Sequence, residues 1–208
     1  MSSTSYSPQK IKALFHEAGF KIRDDVALKF YTYLRELTKW NRVHRITSVG
    51  TEEDIVRRHF LDSITLARCF DDIGVEWIGK DLADIGSGGG FPGVPLKIYL
   101  KDLNLFLVES VSKKCSFLEY LKVKLAMEWK VLCERAEKVG RSFDITVARA
   151  TGPLEKVVPL LESLAREYIF IMKGKEVKAE WLEKFSLKSY KVSIRGLPET
   201  HILWKKLK

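Results

Sequence analysis

The sequence predicts an α/β fold: a mostly parallel sheet with helices on both faces, preceded by a small helical extension. Three observations predict it. From residue 81 onward, short and nearly continuous apolar runs alternate with helix-period segments, as expected for a parallel sheet buried on both sides. Before that point the apolar residues recur at helical spacing. Between the two regions lies D-L-A-D-I-G-S-G-G-G-F-P-G, Asp81 to Gly93. It reads as a buried strand (Leu82, Ala83, Ile85), a turn almost without side chains, and a helix opened by Pro92, whose missing N–H would have no partner there anyway.

The elements follow in order. Residues 1 to about 7 are Ser/Thr-rich and expected to fray. Ser7 and Pro8 are the cap and first residue of a helix carrying Ile11, Leu14, Phe15 and Ala18, closed by Gly19. Asp24 and Asp25 open a second helix, their charge complementing its dipole; it carries Val26 to Leu37 and ends near Trp40-Asn41. The next segment, W-N-R-V-H-R-I-T-S up to Ser48, is basic and aromatic with poor helical periodicity. Thr51 to Asp54 start a third helix that runs into R-R-H-F-L-D-S. Arg57, Arg58 and His59 are adjacent, so they fan around it.

After the glycine turn, Leu103–Val108 is a second strand ending at Glu109, and Lys113–Met127 a helix. Trp129–Leu132 is a third strand and Asp144–Ala148 a fourth, ending at Arg149-Ala150. Pro153–Leu164 is a helix and Tyr168–Met172 a fifth strand, ending at Lys173-Gly174. The tail offers Ser189–Ile194 and His201–Leu207, separated by Gly196 and Pro198. A short turn cannot join parallel neighbours, so this pair extends the sheet in antiparallel fashion. The expected organisation is 1–75 as a helical extension and 76–208 as the ligand-binding domain.

Composition narrows the class. The formal net charge is +9, with 46% hydrophobic and 30% charged residues. A core of ordinary size is affordable, and the excess of base points to a polyanion, nucleic acid or a membrane surface. No apolar run is long enough to span a bilayer, and no signal peptide is recognisable. Cys69, Cys115 and Cys133 are odd in number and form no C-x-x-C pair. That is neither a disulfide framework nor a zinc pattern, and it implies a reducing, cytoplasmic compartment.

Two cofactor readings compete for the turn. Gly88-Gly89-Gly90-Phe91-Pro92-Gly93 fits G-x-G-x-x-G, the dinucleotide fingerprint. The other frame is Gly86-x-Gly88-x-Gly90 directly after an acid-bearing strand, as in S-adenosylmethionine-dependent methyltransferases. Pro92 separates them. A dinucleotide site holds its pyrophosphate with N–H groups at the helix start, and proline removes one. Glu109 stands about 20 residues further on, where an acid takes ribose hydroxyls. Arg135-Ala136-Glu137, Arg149-Ala150 and Lys173-Gly174 follow the third, fourth and fifth strands, at the edge where open α/β sheets bind ligands.

Together these segments carry a family resemblance. W-N-R-V-H-R-I-T-S, R-H-F-L-D-S, D-I-G-S-G-G-G-F-P-G-V-P-L, V-E-S-V-S-K-K-C-S-F-L, R-A-E, A-R-A and M-K-G occur in order from about Trp40 to Gly174. The chain resembles the bacterial ribosomal small-subunit methyltransferase G family, once called glucose-inhibited division protein B. The resemblance implies a Rossmann-like class I methyltransferase fold with a seven-stranded sheet. It also implies methyl transfer from S-adenosylmethionine to guanine N7 in the decoding-region loop of 16S ribosomal RNA.

By resemblance the cofactor contacts are Gly86, Gly88, Phe91, Ala136, Glu137 and Arg149, with Glu109 on the ribose. No acid–base residue and no metal is expected, because N7 already has an in-plane lone pair; Arg149 positions. The RNA candidates are Arg42, Arg45, Arg57, Arg58, His59, Lys113, Lys114 and Lys173. The expected partner is 16S ribosomal RNA, free or in the small subunit or its assembly intermediate, met by a monomer. Two mild departures from the family pattern are the basic pair His44-Arg45 and Glu109 in place of a more common Asp.

Overall fold

The computed structural model describes residues 6–47, 51–149, 152–174, 176–195 and 197–207. The expected frayed start (1–5), Ser48, Ala150 and Gly196 lie outside the described residues.

Among the described residues, four α-helices and one π-helical turn precede the sheet. Helix α1 is Pro8–Glu17, capped by the Ser7 hydroxyl, which accepts from the Lys10 N–H at 3.2 Å. Helix α2, Asp24–His44, runs further than the sequence suggests. The segment from Trp40 lacks a helical stripe of its own but is held by packing. Trp40 meets the rings of Phe117 and Tyr120 at 5.5 and 5.3 Å, and His44 meets Trp40 at 5.2 Å. The helix stops at Arg45, which adopts a left-handed conformation. Short helix α3, Glu52–Asp54, has a capping box in which Thr51 and Asp54 satisfy each other's backbone N–H. It passes into a π-helical turn, Ile55–Leu61, and then into α4, Asp62–Ile73.

The seven strands are β1 Asp81–Ile85, β2 Asn104–Val108, β3 Lys130–Leu132, β4 Phe143–Arg149, β5 Ala165–Lys173, β6 Lys188–Val192 and β7 Thr200–Lys206. Their order is β3-β2-β1-β4-β5-β7-β6. The first five are parallel; β7 is antiparallel to both β5 and β6. Helices α5 (Gly93–Tyr99), α6 (Ser112–Leu125), α7 (Leu154–Leu164) and α8 (Ala179–Phe185) cover the faces.

The pleat divides the core. On one face Leu82, Leu107, Ile145, Val147 and Phe170 pack with α5, α6 and the whole N-terminal helical segment. On the other, Ala83, Ile85, Val108, Ala148 and Ile171 pack with α7 and the partly buried apolar residues of α8. The described residues between 6 and 75 thus pack on the sheet face that backs the glycine turn.

One expectation is overturned. Cys115 and Cys133 are joined in a disulfide, with Cα atoms 5.8 Å apart; Cys69 is free and buried. The pairing comes from topology. Because β3 lies parallel beside β2, its C-terminal end returns to the first turn of α6. A count of cysteines carries no trace of that neighbourhood. No helix among the described residues is long and apolar enough to cross a membrane.

Candidate active site

The site lies where β1, β2 and β4 end, as expected for a parallel sheet. Its floor is the turn after β1. The N–H groups of Gly86 and Ser87 both donate to the Val108 carbonyl, at 2.9 and 3.1 Å, which ties the turn to the end of β2. The Ser87 hydroxyl donates to the Asp84 carbonyl at 2.8 Å. From behind, the buried Tyr33 hydroxyl of α2 donates to the Gly89 carbonyl. Gly90 allows that approach: at φ +99°, a Cβ there would stand 2.8 Å from the Tyr33 oxygen.

Two carboxylates then occupy the turn's backbone donors. Glu109 Oε2 accepts from the Gly88 N–H and Oε1 from the Val111 N–H, both at 2.9 Å, and Lys114 Nζ lies 3.9 Å away. Asp84 Oδ2 accepts from the Gly93 N–H at 2.8 Å. Asp84 is completely buried, and burial raises its pKa to about 7 against the opposing Gly93 hydrogen bond and Arg149. Pro92 caps α5 and has no N–H of its own. A diphosphate at this turn would compete with Glu109 for Gly88 and with Asp84 for Gly93.

Two cavities share Gly86. The larger, about 830 Å³, is bounded by Glu109, Glu134, Glu137 and Glu155, with Arg135, Ala136 and Lys156. Its volume suits a nucleoside-sized ligand, and carboxylates outnumber cations. The smaller, about 490 Å³, is cationic, with Arg45, Lys114 and Arg149 around the glycine turn, Thr47 and Phe91. Phe91 is a wall with little exposed surface: it stacks on Tyr33 at 5.5 Å, meets His59 at 4.8 Å, and carries the Arg149 guanidinium 5.0 Å above its ring.

Arg149, at the end of β4, is largely buried. Burial lowers its pKa, opposed chiefly by Asp62 and then Asp84. Its Nη1 lies 3.7 Å from Asp62 Oδ2, and its Nη2 lies 2.5 Å from His59 Nδ1. Burial and Arg149 hold the His59 imidazole down to about 4, so it is neutral.

The structure thus brings Gly86, Gly88, Phe91, Glu109, Ala136, Glu137 and Arg149 around two cavities that share Gly86. Of the RNA candidates, Arg45 and Lys114 line the smaller. Arg42 and Lys113 are exposed. Arg57 and Arg58 pair with Glu53 and Asp54, at 2.8 and 3.1 Å. Lys173 lies 5.0 Å over the Trp181 ring. His59 faces Arg149. Sequence reasoning missed Tyr33, Asp62, Glu134 and Glu155. Only Asp62 had a signal, its position in R-H-F-L-D-S.

The family model for rRNA small subunit methyltransferase G matches residues 27–199. A ribosomal RNA small subunit methyltransferase G from Aquifex aeolicus (strain VF5) is 53% identical over 197 residues, covering 95% of this chain and 100% of the relative. One from Caldanaerobacter subterraneus subsp. tengcongensis is 34% identical, covering 91% and 77%. Among solved structures, magnesium protoporphyrin IX methyltransferase from Synechocystis PCC 6803, with bound S-adenosylmethionine, superposes with a TM-score of 0.61 at 15% identity over 100% of both chains. A Thermus thermophilus 16S rRNA N2 G1207 methyltransferase, in complex with S-adenosylmethionine and guanosine, gives 0.55 at 20% identity over 71% of this chain and 43% of that one. These structural likenesses show the fold, that of class I methyltransferases.

Proposed function

The chain belongs to the rRNA small subunit methyltransferase G family, and we propose how its cleft serves the family's reaction. It is an S-adenosylmethionine-dependent enzyme that transfers a methyl group to N7 of a guanine in 16S ribosomal RNA. The observation that carries our reading is the pair of carboxylates on the turn. With Gly88 held by Glu109 and Gly93 by Asp84, two of the turn's backbone donors are closed to a diphosphate. A carboxylate-rich cleft instead meets a cationic one. The cationic part suits an amino-acid carboxylate, and the carboxylate-rich part suits the hydroxyl and amino donors of an adenosine.

The cofactor supplies an electrophilic methyl group on a positively charged sulfur. Ala136 and Glu137 would hold the adenine, and Glu109 would take the ribose hydroxyls with the lone pairs its two backbone bonds leave. Arg149 and Lys114 attract anionic groups at the other end: the methionine carboxylate, guanine O6 or an RNA phosphate. Guanine N7 needs no proton removed, so the chain's task is to hold N7 in line with the methyl group and exclude water. Asp84, with a pKa of about 7, has the value of a general base but not the position. It is sealed beneath the turn and bound to Gly93.

The RNA reaches this mouth across the helical segment 1–75. Arg45 contributes from the end of α2, with Arg42 and Lys113 on the flanks. We read the chain as a cytoplasmic monomer acting on ribosomal RNA or the small subunit. Calorimetry tests the cofactor assignment. S-adenosylmethionine should bind the apo chain, and Glu109→Ala should weaken it. Tight NADH binding with no heat from S-adenosylmethionine would overturn the reading.

A further inference from the structure

Arg149 sits on the last residue of β4, yet the partners that aim it belong to the helical segment before the sheet. Its Nη1 donates to the Arg58 carbonyl at 3.3 Å and lies 3.7 Å from Asp62 Oδ2. Its Nη2 donates to His59 Nδ1. The His59 ring packs on Phe91 beneath the same guanidinium. Thus three groups from residues 58–62 hold a side chain about ninety residues away in sequence.

The local backbone makes this reach possible. In the π-helical turn the Asp62 N–H donates to the Arg57 carbonyl, five residues back. The Arg58 carbonyl meets Arg149 instead. Single π turns are uncommon and concentrate at functional sites. The chemistry is also specific. A ring nitrogen that accepts from a guanidinium carries no proton, so the His59 proton sits on Nε2. Asp62 is the anionic partner. Arg149 is therefore fixed by one anion, one neutral acceptor and one carbonyl, with an aromatic ring below.

We propose that His59 and Asp62 are positioning residues for Arg149, aiming its guanidinium at the reaction centre. The N-terminal helical segment then completes the active site from behind, in addition to any RNA contact it makes. This rests on the reading of Arg149 given under the proposed function.

The test is a double-mutant cycle with methyl transfer from labelled S-adenosylmethionine to small ribosomal subunits lacking the modification. Misplacement of a positioned group by about 1 Å can reduce rate about 100-fold. Arg149→Ala should therefore lose about 100-fold in kcat/KM, and Asp62→Asn and His59→Phe about 10-fold each. His59→Phe keeps the ring on Phe91 and loses the acceptor. His59→Asn restores an acceptor near Nδ1 and should recover most activity. On the Arg149→Ala background, Asp62→Asn should add no further loss, since its target is gone.

Full multiplication of the two losses would overturn the proposal, as would full activity in Asp62→Asn and His59→Phe while Arg149→Ala is impaired. Full activity in Arg149→Ala is a different failure: it removes the role assigned to Arg149 itself. Should Asp62→Asn not fold, the His59→Phe and His59→Asn pair decides the matter, with melting temperatures measured alongside.

Discussion

Replacing Asp84 by Asn tests how the glycine turn is held. The Asp84 carboxyl is fully buried, with Oδ2 on the Gly93 N–H and Oδ1 without a hydrogen-bond partner among the described residues. Its folded pKa is about 7, against about 3.9 in an unfolded chain. The folded value is the higher one, so the native state binds more protons through that window. Its contribution to stability is full below the unfolded value and is lost as pH rises to about 7. Each unit corresponds to about 1.4 kcal/mol, so roughly 3 kcal/mol is lost between about pH 5 and pH 8.

Asparagine keeps an acceptor for Gly93 but cannot titrate. Its buried amide adds a constant penalty of about 1–3 kcal/mol, the same at every pH. Urea unfolding of both proteins across this range isolates the term, because every other group titrates alike in the two. The stability of Asp84→Asn relative to the parent should rise by about 3 kcal/mol from pH 5 to pH 8. A difference that stays constant with pH would refute the assignment of a buried carboxyl with a raised pKa beneath the turn.

Other perturbations follow from the same geometry. Gly93→Ala would set a Cβ 2.8 Å from Leu107 Cδ2 and 2.9 Å from Asp84 Oδ2. Overpacking of this kind lowers stability by about 1–3 kcal/mol, so an unchanged urea midpoint would be inconsistent with it. Reducing the Cys115–Cys133 bridge, which spans 18 residues, removes about 3 kcal/mol by the loop-entropy relation and about 6–12 °C of melting temperature. Cys133→Ser should match the reduced parent, and equal melting curves with and without reductant would count against the bridge. Arg45→Ala and Lys114→Ala should each lower the slope of log affinity for 16S ribosomal RNA against log salt by about one. An unchanged slope means that side chain meets no phosphate.

The parts of this molecule that were legible from its sequence are those fixed by local chemistry. β1 and its turn could be read because a buried strand ending in glycines admits few conformations. The Ser7 cap, and the start of a helix at Thr51 to Asp54, could be read from residue type alone. The antiparallel tail followed from the brevity of its connection. The cleft residues Glu109, Ala136, Glu137 and Arg149 could be placed because strand ends in a parallel sheet converge on one edge.

What stayed hidden depends on tertiary contact. Trp40 to His44 is helical because aromatic rings on α6 hold it, against a weak local pattern. The Cys115–Cys133 bond needs β3 beside β2. The pairing of Asp62 and His59 with Arg149 needs the helical segment to sit behind β4. Helix α8 has partly exposed apolar residues and no fully buried one, so its stripe was too weak to read.

The most direct test of the account is the identity of the modified atom. The purified chain is incubated with labelled S-adenosylmethionine and small ribosomal subunits lacking the modification, and the labelled base is then mapped. The account predicts label on one guanine of 16S ribosomal RNA, at N7, detected by strand cleavage at that base after reduction and aniline treatment. Label on an exocyclic amine would contradict it. So would label in another ribosomal RNA, or none with S-adenosylmethionine bound.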